Sequence, residues 1–155
     1  MIDLNAHSQS ENALIRKGNQ YYKNRQMDLS QQQYREALKL DPGNSTANYN
    51  LGNTQFRKNN FGDAGKTYER VIEHSDNKNL KEKAYYNKGV TSVQDQKLQE
   101  SIDSWKNALK LDPADSDARE KSAESIAGIK KETNAGSKTR SETGSKKAEP
   151  ATATT

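Results

Sequence analysis

The sequence contains no cysteine, only three prolines and a single tryptophan in 155 residues. Without cysteine, the chain can form neither disulfides nor thiolate metal sites. Hydrophobic residues make up only 30% of the chain, charged residues make up another 30%, and the mean hydropathy is -1.24. So polar a composition argues against one large spherical core and favours a fold that buries a thin apolar layer between adjacent units.

Long apolar runs are also absent. No stretch approaches the roughly 20 apolar residues of a membrane-spanning helix. The segment Met1–Asn5 has neither a basic region nor an apolar one, so it is not interpreted as a signal peptide. We expect either a cytoplasmic chain or the mature form of an exported one, and the sequence leaves both open.

Residues with catalytic chemistry are scarce. The two histidines are His7, in a polar lead-in, and His74, beside a linker, and both fit solvated surface positions. The sequence has no glycine-rich phosphate loop and no cysteine nucleophile. We therefore predict no enzymatic activity, no cofactor, no metal and no small-molecule substrate.

What the sequence does contain is an internal repeat. Each of three copies carries a glycine followed 16 residues later by an aromatic residue. The glycines are Gly18, Gly52 and Gly89, and the aromatic residues are Tyr34, Tyr68 and Trp105. Both landmarks are offset by 34 residues between the first two copies and by 37 between the last two. A three-residue insertion therefore precedes the third copy, and a repeat of this length predicts a stacked solenoid.

Apolar residues at helical spacing predict an all-α chain. The first helix is predicted from about Glu11, and the others lie at about 28–40, 45–58, 62–73, 80–94, 99–111 and 116–131. Asp41–Asn44 and Asp112–Asp115 each contain a proline that ends a helix. Residues 75–79 form the linker expected to hold the insertion. The predicted organisation is a loose lead-in at 1–10, a repeat domain at 11–131 (repeats at about 11–44, 45–78 and 82–115, cap at 116–131) and a disordered low-complexity tail at 132–155.

These landmarks resemble the tetratricopeptide repeat, in which a glycine and a small residue let two helices cross closely. The small residues are Ser30, Ala64 and Ser101, and the closing prolines are Pro42 and Pro113. One departure is that Lys17 and Lys88 stand where the repeat has leucine, which only Leu51 supplies. The resemblance implies three helix-turn-helix repeats, a C-terminal capping helix and a protein-binding function.

A narrower resemblance rests on three short blocks. They are Ile15–Lys23, Tyr49–Asn53 and Tyr85–Gly89, with the insertion between the last two copies. The blocks are similar to tetratricopeptide proteins of bacterial aerotolerance operons. This similarity implies a periplasmic or membrane-associated protein with von Willebrand-type partners from the same operon.

In the tetratricopeptide architecture, the first helix of each pair lines a concave groove. We predict that this groove binds a protein or peptide of acidic or carboxylate character through these residues: Arg16, Asn19, Lys23, Tyr49, Asn50, Asn53, Arg57, Lys83, Tyr86 and Asn87. Amides can bond to a peptide backbone, aromatics supply contact area and the cations suit carboxylates. The same helical phase also directs Ile15, Tyr22, Phe56, Val90 and Val93 toward the groove.

Several of these residues also suit a structural role in place of ligand binding. The asparagines can instead bond between adjacent helices, and Tyr22 and Phe56 are more typical of core positions. Chaperone-binding members clamp a terminal carboxylate, and Asn19, Asn50 and Lys83 match that clamp by phase. Ile15 and Asn87 occupy the positions of its other Lys and its Arg, which disfavours binding of Hsp70- or Hsp90-type tails.

Two other functions remain as alternatives to an adaptor. The net charge of +4 and a pI near 9.1 leave open association with nucleic acid. The basic residues of the tail are interleaved with glutamates, however, so a dense basic field is lacking. The second alternative is a scaffold that self-associates through the solenoid ends.

Overall fold

The computed structural model describes residues 4–143, and within them the chain forms α-helices without β-strands. The helices are α1 (Leu4–Lys23), α2 (Met27–Leu40), α3 (Ser45–Arg57), α4 (Phe61–His74), α5 (Lys78–Gln94), α6 (Leu98–Leu111) and α7 (Ser116–Thr143). The predicted all-α solenoid is confirmed. None of the helices in this part of the chain combines the length and apolar character needed to cross a membrane.

Each helix packs antiparallel against the next, and the chain curves as a result. The odd-numbered helices also contact one another, α1 with α3 and α3 with α5, whereas α2 and α4 do not pack against each other to that extent. The odd-numbered helices therefore line the inner, concave face, and the even-numbered helices lie on the outer face. Three small apolar clusters, centred on Tyr34, Tyr68 and Trp105, replace a single core.

The glycine of each repeat accommodates the aromatic ring of the second helix. A Cβ atom added at Gly52 would lie 2.7 Å from Cε1 of Tyr68, and one at Gly18 would lie 2.6 Å from Cε1 of Tyr34. Trp105 occupies the same place over Gly89. The three rings are between 1% and 2% exposed. The close helix crossing that the repeat pattern predicts is thus present in all three pairs.

The turn inside each pair has the same backbone geometry. Arg25, Asn59 and Gln96 occupy equivalent positions and have positive φ angles of 59°, 60° and 60°. In the first turn, the backbone N–H of Gln26 donates to the carbonyl of Tyr21 at 2.9 Å, which closes a Schellman motif. The motif satisfies carbonyls at the helix end and allows a turn only a few residues long.

The structure places the three-residue insertion in a helix, so the prediction that the linker holds it is wrong. Helix α5 has 17 residues whereas its counterpart α3 has 13, and the linker at 75–77 is one residue shorter than that at 41–44. Asn77 caps the lengthened helix through a hydrogen bond from Leu80 N to its Oδ1 at 3.1 Å. Because this cap lies earlier than the predicted start at Leu80, the extra residues form one more helical turn.

Both ends of the repeat domain differ from the prediction. Helix α1 begins at Leu4, so most of the predicted lead-in is helical, and α7 continues to Thr143, beyond the predicted end of the cap at residue 131. No proline interrupts either extension, and adding a residue to an existing helix costs far less than nucleating one. Residues 144–155 of the predicted tail lie outside the described residues.

The apolar side of the capping helix is narrower than predicted. Ala118 and Ser122 are buried and Ile126 is half-buried, but Ala123 is exposed. The side chain of Ile129 lies outside the described part of the chain. The helix therefore covers the last repeat mainly through its first two turns, where Asp115 caps it by accepting from Ala118 N at 3.0 Å.

Lys88, which stands where the repeat pattern has leucine, joins three helices. Its ammonium group pairs with Glu69 of α4 and lies 3.4 Å from a carboxylate oxygen of Glu100 in α6. Burial alone would lower the pKa of Lys88, but these two carboxylates raise it above its ordinary value. The charged group thus takes the place of the apolar contact that Leu51 makes in the second repeat.

We expect the Lys88→Leu variant to be as stable as the parent within about 1 kcal/mol, or more stable. Partly exposed ion pairs contribute little, and the glutamates it leaves behind are accessible to water. Lys88→Ala is the control, because it removes the packing of the side-chain stem as well. Urea denaturation measures the free energy of unfolding of both variants. A large decrease in that free energy for Lys88→Leu would show that the ion pairs of Lys88 stabilise the fold.

Candidate functional site

Three connected cavities run along the inner face. The first has a volume of about 180 Å³ and the second about 210 Å³, and Tyr22 and Asn53 line both. The third, of about 170 Å³, shares Val90 with the second and ends against α7. The inner face is therefore a continuous groove that extends from the first repeat to the capping helix.

Paired asparagines connect adjacent helices at the wall of the groove. In the first pair, Asn50 Nδ2 donates to Asn19 Oδ1 at 3.0 Å, and Tyr34 OH donates to the same oxygen at 2.6 Å. These two bonds fix the orientation of the Asn19 amide. They leave Asn19 Nδ2 as a donor and Asn50 Oδ1 as an acceptor with no partner among the described residues.

The second pair repeats the arrangement one unit further along. Asn87 Nδ2 donates to Asn53 Oδ1 at 3.1 Å and also to Tyr49 OH at 3.0 Å, while Tyr68 OH donates to Asn53 Oδ1 at 2.7 Å. The asparagines thus form hydrogen bonds between adjacent inner helices, which is the structural role that the sequence analysis gave as an alternative. Since each amide uses only one of its two polar ends, a ligand contact through the other end stays a prediction.

The tyrosine hydroxyls that hold this network are protonated at neutral pH. Burial raises the pKa of Tyr34 to about 12. Burial also raises the pKa of Tyr68 and Tyr49 above the ordinary value of 10.0. The hydroxyls of Tyr34 and Tyr68 can therefore act as donors throughout the physiological range, and the orientation of the amides does not depend on pH there.

The predicted cations differ in their relation to the groove. Lys23 lines the first cavity and Arg57 lines the second, and both are exposed. Arg57 Nε donates to Tyr22 OH at 3.3 Å. Arg16 and Lys83 are also exposed, but they do not line the three cavities. At the cavity that ends against the cap, Lys121 of α7 adds a third cation, together with Glu124.

Acidic residues lie near Tyr86 in the third repeat. Tyr86 is half-buried, and its pKa is raised by burial and by the charges of Asp117, Asp115 and Glu82. None of these three carboxylates lines the cavities, so they lie beside the groove and do not form its wall. Glu82 itself has a raised pKa, first through burial and then through the nearby Asp115 and Asp112.

We expect Glu82→Gln to stabilise the fold at neutral pH. A carboxyl whose pKa is raised in the folded state contributes most stability when protonated, and this contribution is lost as pH rises through the raised value. The advantage of the variant should therefore vanish below the ordinary value of 4.5 and grow above it. Thermal denaturation across a pH series measures the difference, and a pH-independent difference would contradict this account.

Several residues that line the groove were not among the predicted contacts. Tyr22, Phe56 and Val90 are half-buried and line the second cavity, although the first two were assigned to the core. Helical phase does place them on the inner face, but it cannot show how much of each ring remains accessible. Ile15 is the opposite case, because it is 7% exposed and belongs to the first apolar cluster, not to the groove.

The positions of a carboxylate clamp are not assembled as in chaperone-binding members. Ile15 is buried, and Asn87 is committed to Asn53 and Tyr49. Among the described residues, no group of histidine, aspartate and glutamate side chains could hold a metal ion. His74 is exposed, 3.8 Å from a carboxylate oxygen of Glu73. The groove therefore offers amides, tyrosines, three cations and, toward the cap, the apolar side chains of Val90 and Val93.

Comparison with known proteins agrees with this geometry. Models of the tetratricopeptide repeat match residues 15–79 and 82–115. No curated protein matches the sequence. Among solved structures, the first repeat domain of Spaghetti (RPAP3) bound to an HSP90 peptide is 24% identical, with a TM-score of 0.73 over 79% of this chain and 94% of that one.

Two further structures are equally similar. The Arabidopsis OM64 repeat domain is 24% identical, with a TM-score of 0.72 over 79% of this chain and 98% of that one. The N-terminal domain of C. elegans STI-1 is 22% identical, with a TM-score of 0.73 over 78% of this chain and 98% of that one. At these identities the likeness concerns the fold alone.

Proposed function

Because this chain belongs to the tetratricopeptide-repeat family, we propose that it is a protein-interaction module whose concave groove binds an extended segment of a partner. The observation that carries the proposal is the double network of asparagines and tyrosines. It holds the amides in position before any ligand arrives, so that little conformational entropy is lost on their side.

The two ends of the amides suit a peptide backbone. Asn19 and Asn53 each offer an Nδ2 donor, and Asn50 and Asn87 each offer an Oδ1 acceptor. An extended peptide presents N–H and C=O groups that can pair with both kinds. Such hydrogen bonds recognise the backbone of the peptide, so they bind the segment without selecting its side chains.

The charges of the groove suggest how a ligand is oriented. Lys23 and Arg57 favour carboxylates at the first two repeats, whereas at the cap end the charge of Lys121 is accompanied by that of Glu124. Val90 and Val93 give the cavity near the cap an apolar side. The proposed ligand therefore has an acidic part toward the first repeat and an apolar side chain toward the cap.

This function can be tested with peptides selected from a displayed random library on the full chain. Binding of a selected peptide would be measured by fluorescence polarisation for the parent and for Lys23→Glu/Arg57→Glu. The control, Lys106→Glu/Lys110→Glu, changes the net charge equally at exposed positions on α6. We expect the dissociation constant to rise about tenfold or more only in the groove variant. Equal binding by both variants would place the ligand elsewhere.

A narrower proposal rests on the sequence blocks alone. If the chain acts in an aerotolerance-type complex, its partner is a von Willebrand-type protein at the membrane. Binding of a purified von Willebrand-type domain from such an operon to the full chain, measured by calorimetry, tests this. We expect binding that the Lys23→Glu/Arg57→Glu variant weakens, and no binding at micromolar concentrations would remove this partner while leaving the module function intact.

A further inference from the structure

A second groove lies on the outer face, between α2 and α4. Its volume of about 470 Å³ exceeds that of each of the three inner cavities. Leu51 and Gln55 of α3 form its floor, and Leu38 adds an apolar side chain from α2. The groove exists because α2 and α4 both pack against α3 and contact each other little, if at all, by comparison.

The walls of this outer groove are basic. Each wall carries two cations one helical turn apart, Arg35 with Lys39 on α2 and Lys66 with Arg70 on α4, and Asp63 is the one carboxylate that lines it. Lys39 pairs with Glu36 at 2.7 Å. Within the described residues, Arg35, Lys66 and Arg70 take part in no ion pair. Arg35 on one wall therefore faces Lys66 and Arg70 on the other, and none of the three has an ion-pair partner in this part of the chain.

The next groove along the outer face shows that the repeat does not require these cations. Between α4 and α6, the positions equivalent to Arg35 and Lys39 are Glu69 and Glu73, and the position equivalent to Lys66 is Asp103. Two cations that line this neighbouring groove are paired internally, since Lys88 bonds to Glu69 and Glu100, and Lys97 lies 2.5 Å from an oxygen of Asp95. The third is Lys66, which lines both grooves. Among the described residues, the groove between α2 and α4 thus has cations without an ion pair on both walls, whereas the neighbouring groove has Lys66 alone.

We propose that the groove between α2 and α4 is a second docking site, and that its occupant is an acidic peptide segment of a partner protein. Cations in two facing rows, one turn apart, match carboxylates spaced one turn apart along the segment. Arginine adds bidentate hydrogen bonds to carboxylates. Leu38 and Leu51 provide apolar contact for a side chain between those carboxylates.

This site lies on the face opposite the concave groove and does not depend on it. A module with both sites can hold two segments at once, one on each face. Occupation of the outer groove places negative charge among Arg35, Lys66 and Arg70 and relieves their mutual repulsion. The affinity should therefore fall as ionic strength increases.

The test uses the full chain and a fluorescein-labelled peptide of glutamate with leucine at every fourth position. Fluorescence polarisation would compare the parent, Arg35→Glu/Arg70→Glu, Lys23→Glu/Arg57→Glu and Lys106→Glu/Lys110→Glu, all three variants having the same net charge. We expect the dissociation constant to rise about tenfold or more in the Arg35/Arg70 variant and to change by about twofold at most in the others. Circular dichroism verifies that each variant is folded.

Other outcomes overturn the proposal. A loss of affinity only in Lys23→Glu/Arg57→Glu would place the acidic peptide in the concave groove. That result would support the proposed function but not the second site. An equal loss of affinity in all three variants would show that binding depends on the net charge of the protein alone. Failure of the parent to bind, or equal binding of a peptide with glutamine in place of glutamate, also contradicts it. Stronger competition by duplex DNA, with a steep salt dependence, would identify a nucleic-acid surface instead.

Discussion

Replacing Trp105 with alanine is expected to lower the free energy of unfolding by about 3–5 kcal/mol, the largest effect we predict for a single substitution. The indole ring is 2% exposed and lies against Gly89, Ala108 and Ala118, so α5, α6 and α7 all meet at this side chain. Its Nε1 donates to the carbonyl oxygen of Tyr86 at 3.1 Å. Truncation removes both the packing and this hydrogen bond between α6 and α5.

Urea denaturation followed by far-UV circular dichroism measures this loss. Trp105→Phe is the control, because phenylalanine keeps a ring but not the N–H donor, and its cost should be smaller. Since the repeats stack in a line, the variant is also expected to lose its third repeat and cap before the rest. A loss below about 1 kcal/mol for alanine, within the range of ordinary surface substitutions, would show that Trp105 does not organise the third repeat.

Replacing Gly52 with alanine is expected to destabilise the protein by about 2 kcal/mol. The new Cβ atom would lie 2.7 Å from Cε1 and 2.9 Å from Cδ1 of Tyr68. That ring is 1% exposed and its hydroxyl is bonded to Asn53, so it cannot move aside without breaking the amide network. Overpacking of this kind costs up to about 3 kcal/mol, which the gain in helix propensity of about 1 kcal/mol offsets only in part.

Gly62→Ala is the matched control, because a Cβ atom at Gly62 of α4 meets nothing within 4 Å. The control is expected to be neutral or more stable by up to about 1 kcal/mol. Both free energies come from the same denaturation experiment. Equal effects of the two substitutions would mean that the helices can separate at Gly52 without cost, contrary to the geometry.

Much of the fold could be predicted from residues that mark close contacts. Gly18, Gly52 and Gly89 lie at helix crossings where a side chain does not fit, and such steric demands appear in the sequence at a constant offset. Pro42 and Pro113 end helices for an equally local reason. These features predicted seven helices and their pairing, which the structure confirms.

The insertion shows where this kind of reasoning fails. The sequence revealed three extra residues before the third repeat, but nothing local distinguished a longer loop from a longer helix. Asn77 decided the outcome, because it caps α5 ahead of the insertion. The extension of α7 to Thr143 was missed because polar composition indicates the absence of a core and says nothing against an uninterrupted helix.

By itself, the sequence determined the number and phase of the repeats, the helix pairs and the inner face on which the asparagines lie. Only the tertiary structure decided which end of each amide is left for a ligand, that Lys88 is paired, and that Arg35 and Arg70 are not. The physical reason is distance along the chain. Helical periodicity fixes the side of a helix from its neighbours in sequence, whereas the bonds that occupy or free a polar atom come from residues 15 to 38 positions away.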